Sequence, residues 1–159
     1  ATMLEELKAQ TGALYYLDLL AKKGVITAEM QRQSYVDSIV WSFGHIAQGM
    51  YNEEGQRKPY SQLSAIQIGF LMDEGAMEWV DGPAANGRDQ GAFKLNFDKL
   101  PVACERLMAK VARIKAINDK AAAEALSKRY VDGGRVPHSA IGERVLRFPK
   151  NSFVYAVDL

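Results

Sequence analysis

The chain begins with an amphipathic pattern that predicts a long helix over Met3–Lys22. Leucines recur at intervals of mostly three or four residues, which places them on one face of a helix. Thr2 and Glu5 have the spacing of a capping box, and Gly24 follows the last basic residues, so both ends carry helix signals. We therefore expect the first element to be a helix that buries one apolar stripe.

The same kind of spacing continues along the chain and predicts five further helices joined by turns. They are expected from a cap at Thr27 to about Gly49 or Tyr51, and then over about 61–74, 101–117, 120–130 and 137–146. The third helix is apolar around nearly its whole circumference, so we expect it to be the buried central helix. Gly69 within it is expected to mark a close contact between helices.

Two short runs of alternating apolar and polar residues, 77–80 and 92–97, predict the strands of a small hairpin. Segment 81–91 between them is rich in turn-forming residues and predicts a long flexible tip. An extended tail is predicted at 153–157. The chain is therefore predicted to be mainly α: one helical bundle-like domain over residues 1–159, with a small β hairpin.

Composition agrees with a single globular domain. The 159 residues are 48% hydrophobic and 25% charged, close to the average for such domains. Lys and Arg number 20 against 19 Asp and Glu, a net charge of +1, so no overall field attracts nucleic acid or an anionic membrane. No stretch resembles a membrane span or a signal peptide. We expect no nucleic-acid or membrane partner and a cytoplasmic location.

Cysteine and histidine, the common zinc ligands besides carboxylates, are few in this chain. Cys104 is the one cysteine, which excludes an internal disulfide and a multi-cysteine zinc site; we expect it to be buried and inert. His45 and His138 are too far apart to share one helical face. His45 is expected to pack in the core and His138 to lie at the surface where a helix starts. Taken alone, the chain shows no complete catalytic site.

The first helix carries a motif that resembles one in the dipeptidyl peptidase III family of zinc peptidases. The run Glu5-Glu6-Leu7-Lys8-Ala9-Gln10 is similar to the family's helical zinc motif, Glu-Glu-x-Lys/Arg-Ala-Glu/Asp. Further segments resemble the family in the same order: 34–36, 43–49, 65–76, 93–100, 113–119 and 128–130. The resemblance covers most of the chain up to about Asp132.

This resemblance implies roles for the two neighbouring glutamates. In the family, zinc is held by two histidines of a His-Glu-x-x-Gly-His motif and by the second glutamate of the Glu-Glu motif. Glu6 is then the zinc ligand, and Glu5 is the neighbouring carboxylate that orients a histidine ligand. The histidine motif and its general-base glutamate are absent from these 159 residues.

We therefore expect the chain to be the C-terminal part of a longer protein. Its implied partner is the N-terminal remainder of that protein, and the implied substrate is a peptide. The implied reaction is attack of zinc-bound water on a peptide carbonyl, which releases dipeptides from an N-terminus. The chain by itself is expected to hydrolyse nothing.

Two positions depart from the family's pattern. Gln10 replaces the final acidic residue of the motif, and Tyr60 stands where the family has a histidine at the start of its buried helix. A phenol can donate a hydrogen bond but cannot supply an imidazolium charge. The activity of the intact protein is therefore expected to be altered or lost.

The same residues also permit an interpretation without metal. In this interpretation Glu5 does no more than cap its helix, and Glu6 with Gln10 forms a solvated pair one turn apart. The chain is then a non-enzymatic helical module that binds a partner protein through exposed apolar surface. Zinc dependence distinguishes the two functions.

Other conspicuous side chains also have structural interpretations. Trp41 and Trp79 are expected in the core, and Tyr60 is expected to pack half-buried after a proline. Asp73 and Glu74 are expected to face solvent at the end of the third helix.

Overall fold

The computed structural model describes residues 3–149, which form six helices and one two-stranded antiparallel sheet. In chain order these are α1 (Met3–Lys22), α2 (Ala28–Ile46), α3 (Pro59–Asp73), β1 (Met77–Pro83), β2 (Gln90–Leu95), α4 (Leu100–Ala116), α5 (Lys120–Tyr130) and α6 (His138–Val145). The mainly α class with a small hairpin is confirmed. The predicted cap at Thr2 and the predicted tail at 153–157 lie outside the described residues.

Helix α3 is the centre of the structure. Every residue from Ser61 to Met72 is buried, and the helix contacts α1, α2, α4, α5 and β1. A helix that is apolar on all sides is stable only when other elements surround it, so the prediction of a buried central helix is confirmed. The close contact at Gly69 is also confirmed, because a Cβ there would overlap the ring of Tyr130 on α5.

Buried hydrogen bonds fix α3 against its neighbours. Ser61 Oγ donates to the backbone oxygen of His45, near the end of α2, at 2.7 Å. Gln67 Nε2 donates to Thr11 Oγ1 of α1 at 3.4 Å. Because a buried donor without a partner destabilises the fold, these bonds favour one arrangement of the three helices.

The turn between α2 and α3 differs from the sequence prediction. The periodicity predicts that α2 ends at Gly49 or Tyr51, but the helix ends at Ile46. Gly49 adopts a φ of 81°, a conformation that does not continue a helix. The apolar residue that extends the pattern, Met50, is buried in the loop instead. Helix α3 begins at Pro59, earlier than predicted, because proline suits the first turn of a helix.

The hairpin is confirmed, but its first strand is longer than predicted, its second strand lies two residues earlier, and its tip is shorter. Trp79 of β1 lies opposite Phe93 of β2, and the two rings meet edge to face with their centroids 5.0 Å apart. Both rings are partly buried and pack against the core. Arg147, after α6, donates to both carboxylate oxygens of Asp89 at 2.8 and 2.9 Å. The tip is thereby joined to the segment that follows α6.

The end of α3 is held by charged side chains. Arg129 Nε and Arg135 Nε donate to the Asp73 carboxylate at 2.8 and 2.6 Å. The hydroxyl of Tyr130 also donates, at 2.8 Å, and the Asp73 side chain is only 20% exposed. Glu74 likewise pairs with an arginine of α4. Asp73 is exposed as a residue, as expected, and Glu74 is half-buried. The arginines that pair with their carboxylates lie far away in sequence and were not predicted.

None of the helices in residues 3–149 is both long enough and apolar enough to cross a lipid bilayer.

Candidate functional site

The two neighbouring glutamates of α1 contact different elements. Both lie in the first turn of α1. Glu5 Oε1 forms an ion pair with Lys115 of α4, whereas Glu6 Oε2 accepts a hydrogen bond of 3.0 Å from the hydroxyl of Tyr60. Successive residues of a helix point about 100° apart, so one turn can reach both α3 and α4. The structure therefore gives each glutamate a separate environment.

Tyr60 lies in the first turn of α3 and reaches across to α1. The side chain is 41% exposed, so it is more open than the predicted half-buried packing residue. Its hydrogen bond to Glu6 raises the pKa of the Tyr60 phenol, because ionisation would remove the donated proton beside a carboxylate. The fold thus brings together Glu6 and Tyr60, the two positions that the sequence resemblance singled out.

Two further aromatic rings stand beside this hydrogen bond. The His45 ring centroid lies 5.4 Å from that of Tyr60 and 4.2 Å from that of Trp41. Trp41 and Tyr60 meet edge to face with their centroids 6.1 Å apart. We call these three residues the aromatic cluster. Its side chains come from α2 and α3 and lie against one another at the end of α1 that carries Glu6.

The members of the aromatic cluster differ in burial. His45 is half-buried, as expected for a packed histidine, and its loss of solvent lowers the pKa of the imidazole. The imidazole is therefore neutral at pH 7. Trp41 is 37% exposed, which corrects the expectation that it lies in the core. The indole meets Tyr60 of α3 and also borders an open cleft.

Gln10 lies one turn after Glu6 on α1 and borders this cleft between α1 and α2. Gln67 of α3 also lines it and is only 4% exposed. The carboxylate of Glu6 is bonded to Tyr60. The residues of the Glu-Glu motif therefore have two environments. Glu6 contacts Tyr60 of the aromatic cluster, and Gln10 borders the cleft.

The described residues supply part of a zinc site at most. Within residues 3–149, no three His, Cys, Asp or Glu side chains are placed to hold a metal ion together. A catalytic zinc takes three protein ligands and one water. Glu6 suits one of these positions, because it is half-buried and oriented by a hydrogen bond through a single oxygen. Residues 3–149 alone do not supply the ligands that zinc needs, and no zinc-dependent step follows from them.

Cys104 and His138 are both shielded from solvent, to different degrees. Cys104 is 1% exposed, as expected, and burial raises the pKa of its thiol to about 12. His138, expected at the surface, is half-buried, and its Nε2 has no hydrogen-bond partner among the described residues. Burial lowers the pKa of this imidazole, and a hydrogen bond with the backbone of Tyr130 raises it by a smaller amount. The prediction failed because the start of α6 packs near the end of α5.

The comparisons with known proteins find solved structures that are similar to the chain. No protein-family model matches the sequence, and no curated protein matches it. Among solved structures, the chain is similar to dipeptidyl-peptidase III from Corallococcus sp. strain EGB, with a TM-score of 0.71 and 25% sequence identity. The match covers 92% of this chain and 25% of that chain. The chain therefore has a dipeptidyl-peptidase-III-like fold and spans about a quarter of the length of that protein.

Proposed function

We propose that the chain is the C-terminal part of a zinc peptidase of the dipeptidyl peptidase III type, and that it supplies Glu6 as one zinc ligand. The observation that carries this proposal is the structural match to dipeptidyl-peptidase III over 92% of the chain. In this proposal the two histidine ligands and the general-base glutamate lie in an N-terminal remainder of the same protein. That remainder is the partner of this chain, and a peptide is the substrate.

The contacts of Glu6 support its role as a ligand. Tyr60 occupies Oε2 of the carboxylate, which leaves Oε1 for a metal ion. A hydrogen bond to the second oxygen restricts the rotation of the carboxylate and orients the first. Tyr60 therefore acts as a positioning residue for a monodentate ligand.

The contacts of Glu5 support a matching role beside the metal. Lys115 is bonded to its Oε1, which leaves Oε2 to accept an N–H from a histidine ligand. The side chain is 50% exposed, so an imidazole from the N-terminal remainder can reach it. An accepted hydrogen bond of this kind fixes the orientation of a zinc-bound histidine.

If the full-length protein binds zinc, the metal would supply a Lewis acid for peptide hydrolysis. Among the chain's own residues, Tyr60 of α3 holds the ligand carboxylate on α1. Tyr60 stays neutral at pH 7, because its pKa is raised. Its one O–H is donated to Glu6, so it positions the carboxylate and adds no positive charge beside it. We expect Tyr60→His in the intact protein to increase turnover by restoring a protonatable donor.

The experiment is an assay of dipeptide release by the full-length gene product, with its zinc removed and then restored. We expect turnover that requires zinc and disappears in Glu6→Ala, while Glu5→Gln retains part of it. The present chain on its own should hydrolyse nothing. Peptidase turnover by this chain alone, or turnover that persists without zinc, would overturn the proposal. A full-length protein that binds no zinc would favour the helical interaction module instead.

A further inference from the structure

The cleft between α1 and α2 has the size and lining of a small binding site. Its volume is about 310 Å³, at the lower end of ligand sites in proteins, so it suits one side chain rather than a large ligand. The lining comes from three helices and consists of Gln10, Leu14, Asp37, Ser38, Trp41 and Gln67. Gln10 and Leu14 are one turn apart on α1, and Asp37 and Trp41 are one turn apart on α2. The side chains of α1 and α2 thus form two rows that face each other across the cleft.

The cleft adjoins the proposed ligand. Gln10 is one turn from Glu6 on α1, and Trp41 touches the ring of Tyr60, which is bonded to Glu6. His45 packs against the Trp41 ring at a centroid distance of 4.2 Å. The indole is therefore held in place before any ligand arrives, and a ligand in the cleft lies next to the Glu6–Tyr60 hydrogen bond.

The polar groups of the cleft suit a cation. Asp37 is the one charged group in its lining, and the ion pairs formed among residues 3–149 do not include it. Gln67 is almost fully buried, and its amide nitrogen is committed to Thr11, so its carbonyl oxygen is the group left for a ligand. Carboxylate and carbonyl oxygens accept hydrogen bonds from ammonium and guanidinium groups. An indole face also attracts them.

A second cavity has a lining of mixed charge, so the negative charge of the cleft is not a property of every cavity. It lies at the base of the hairpin and has a volume of about 450 Å³. There the basic side chains of Arg32, Lys94 and Lys99 stand among the acidic side chains of Glu78 and Asp98. Opposite charges in one lining offset each other, so that cavity does not select a charged ligand. The cleft beside Trp41 is the smaller cavity and carries negative charge alone.

We infer that the cleft binds the side-chain cation of a lysine or an arginine, with Asp37 as its counter-ion and Trp41 as its aromatic wall. The aliphatic part of such a side chain lies against Leu14. This binding involves no metal, so its test is separate from that of the zinc proposal.

The test uses the chain itself and three small probes: N-acetyl-lysine amide, N-acetyl-arginine amide and N-acetyl-norleucine amide. The norleucine probe keeps the aliphatic chain but has no side-chain cation. Binding is followed by NMR through the indole N–H of Trp41 and the side-chain amides of Gln10 and Gln67. We expect saturable shifts with a millimolar dissociation constant for one or both cationic probes, and none for norleucine.

Two variants on α2 test the counter-ion. Asp37→Asn is expected to weaken binding about tenfold, as loss of one charge-assisted hydrogen bond implies. Glu29→Gln removes an exposed carboxylate from the same helix but outside the cleft, and binding should be unchanged. Equal binding of norleucine, equal affinity in Asp37→Asn and the unmodified chain, or no saturable shift with either cation would each overturn the inference. These outcomes leave the zinc proposal standing, just as a protein without zinc leaves this inference standing.

Discussion

The hydroxyl of Tyr60 donates a hydrogen bond to Glu6 Oε2 at 3.0 Å, although the residues are 54 positions apart. This bond joins the first turn of the buried helix α3 to the first turn of α1. It places Tyr60, which we predict to stand in the position of the family's histidine, against the proposed zinc ligand. The position of Glu6 is therefore set by two helices rather than by α1 alone.

The pKa of Tyr60 reports on this bond. Glu6 raises it by accepting a hydrogen bond from the phenol, so Glu6→Ala should move the pKa of Tyr60 down towards its ordinary value of about 10. The measurement is an NMR titration of tyrosine ring carbons. Glu5→Ala is the matched control, because Glu5 pairs with Lys115 and its loss should leave the titration of Tyr60 unchanged. Equal shifts in both variants would show that Glu6 is not the specific partner.

Gly69 is expected to tolerate no side chain. Gly69→Ala places a methyl group against the ring of Tyr130, and such overpacking costs about 1–3 kcal/mol of the free energy of unfolding. Gly12→Ala on α1 is the matched control, because nothing lies within 4 Å of a Cβ there. That change should stabilise the helix by roughly 0.5–1 kcal/mol. Denaturant unfolding measures both, and equal effects would contradict the close contact between α3 and α5.

Asp73 should make stability depend on pH. Burial raises the pKa of its carboxyl, but hydrogen bonds from Arg135, Tyr130 and Arg129 outweigh burial and lower the pKa. A lowered pKa in the folded state stabilises the protein above the unfolded carboxyl pKa of about 3.9, and this contribution is lost as the pH falls through the folded value.

Asp73→Asn is therefore expected to lower the free energy of unfolding by roughly 0.5–1.5 kcal/mol at pH 7, because solvent screens pairs with exposed arginines. The difference from the unmodified protein should shrink as the pH falls below about 4. Urea unfolding across this pH range checks both statements. Glu53→Gln, at an exposed position in the turn before α3, serves as the control and should change stability little at any pH. A constant difference for Asp73→Asn would contradict the role of its ionised form.

Cys104 should be inert in the folded protein. Its side chain is 1% exposed, and burial raises the pKa of the thiol to about 12, so almost no reactive thiolate is present at pH 7 to 8. A thiol reagent should react at the rate at which the protein unfolds, and quickly once urea is added. Fast reaction in the native protein would contradict the packing of α4.

Local sequence signals were sufficient for most of the helices. The limits of α1 and α5 follow from apolar spacing, caps and charged ends, and the observed helices agree with these signals. The buried position of α3 follows from its apolar circumference, which no solvated helix can retain. The end of α2 could not be predicted in the same way, because buried Met50 in the loop continues the helical spacing.

Contacts between distant residues could not be predicted from local spacing. The motif at Glu5 and Glu6 was found by resemblance, but the sequence gives no sign that Lys115 and Tyr60 hold these carboxylates apart. The carboxylate of Asp73 looked solvated for the same reason. Such pairs depend on how the helices pack, and that packing is visible only in three dimensions.

The most direct test of the proposed function is the zinc content of the full-length gene product. Elemental analysis would compare the unmodified protein with Glu6→Ala and Glu5→Ala. The proposal predicts one zinc per chain in the unmodified protein, loss of that zinc in Glu6→Ala and weaker retention in Glu5→Ala. A folded, unmodified protein without zinc, or full retention in Glu6→Ala, would contradict the role of Glu6 as a zinc ligand.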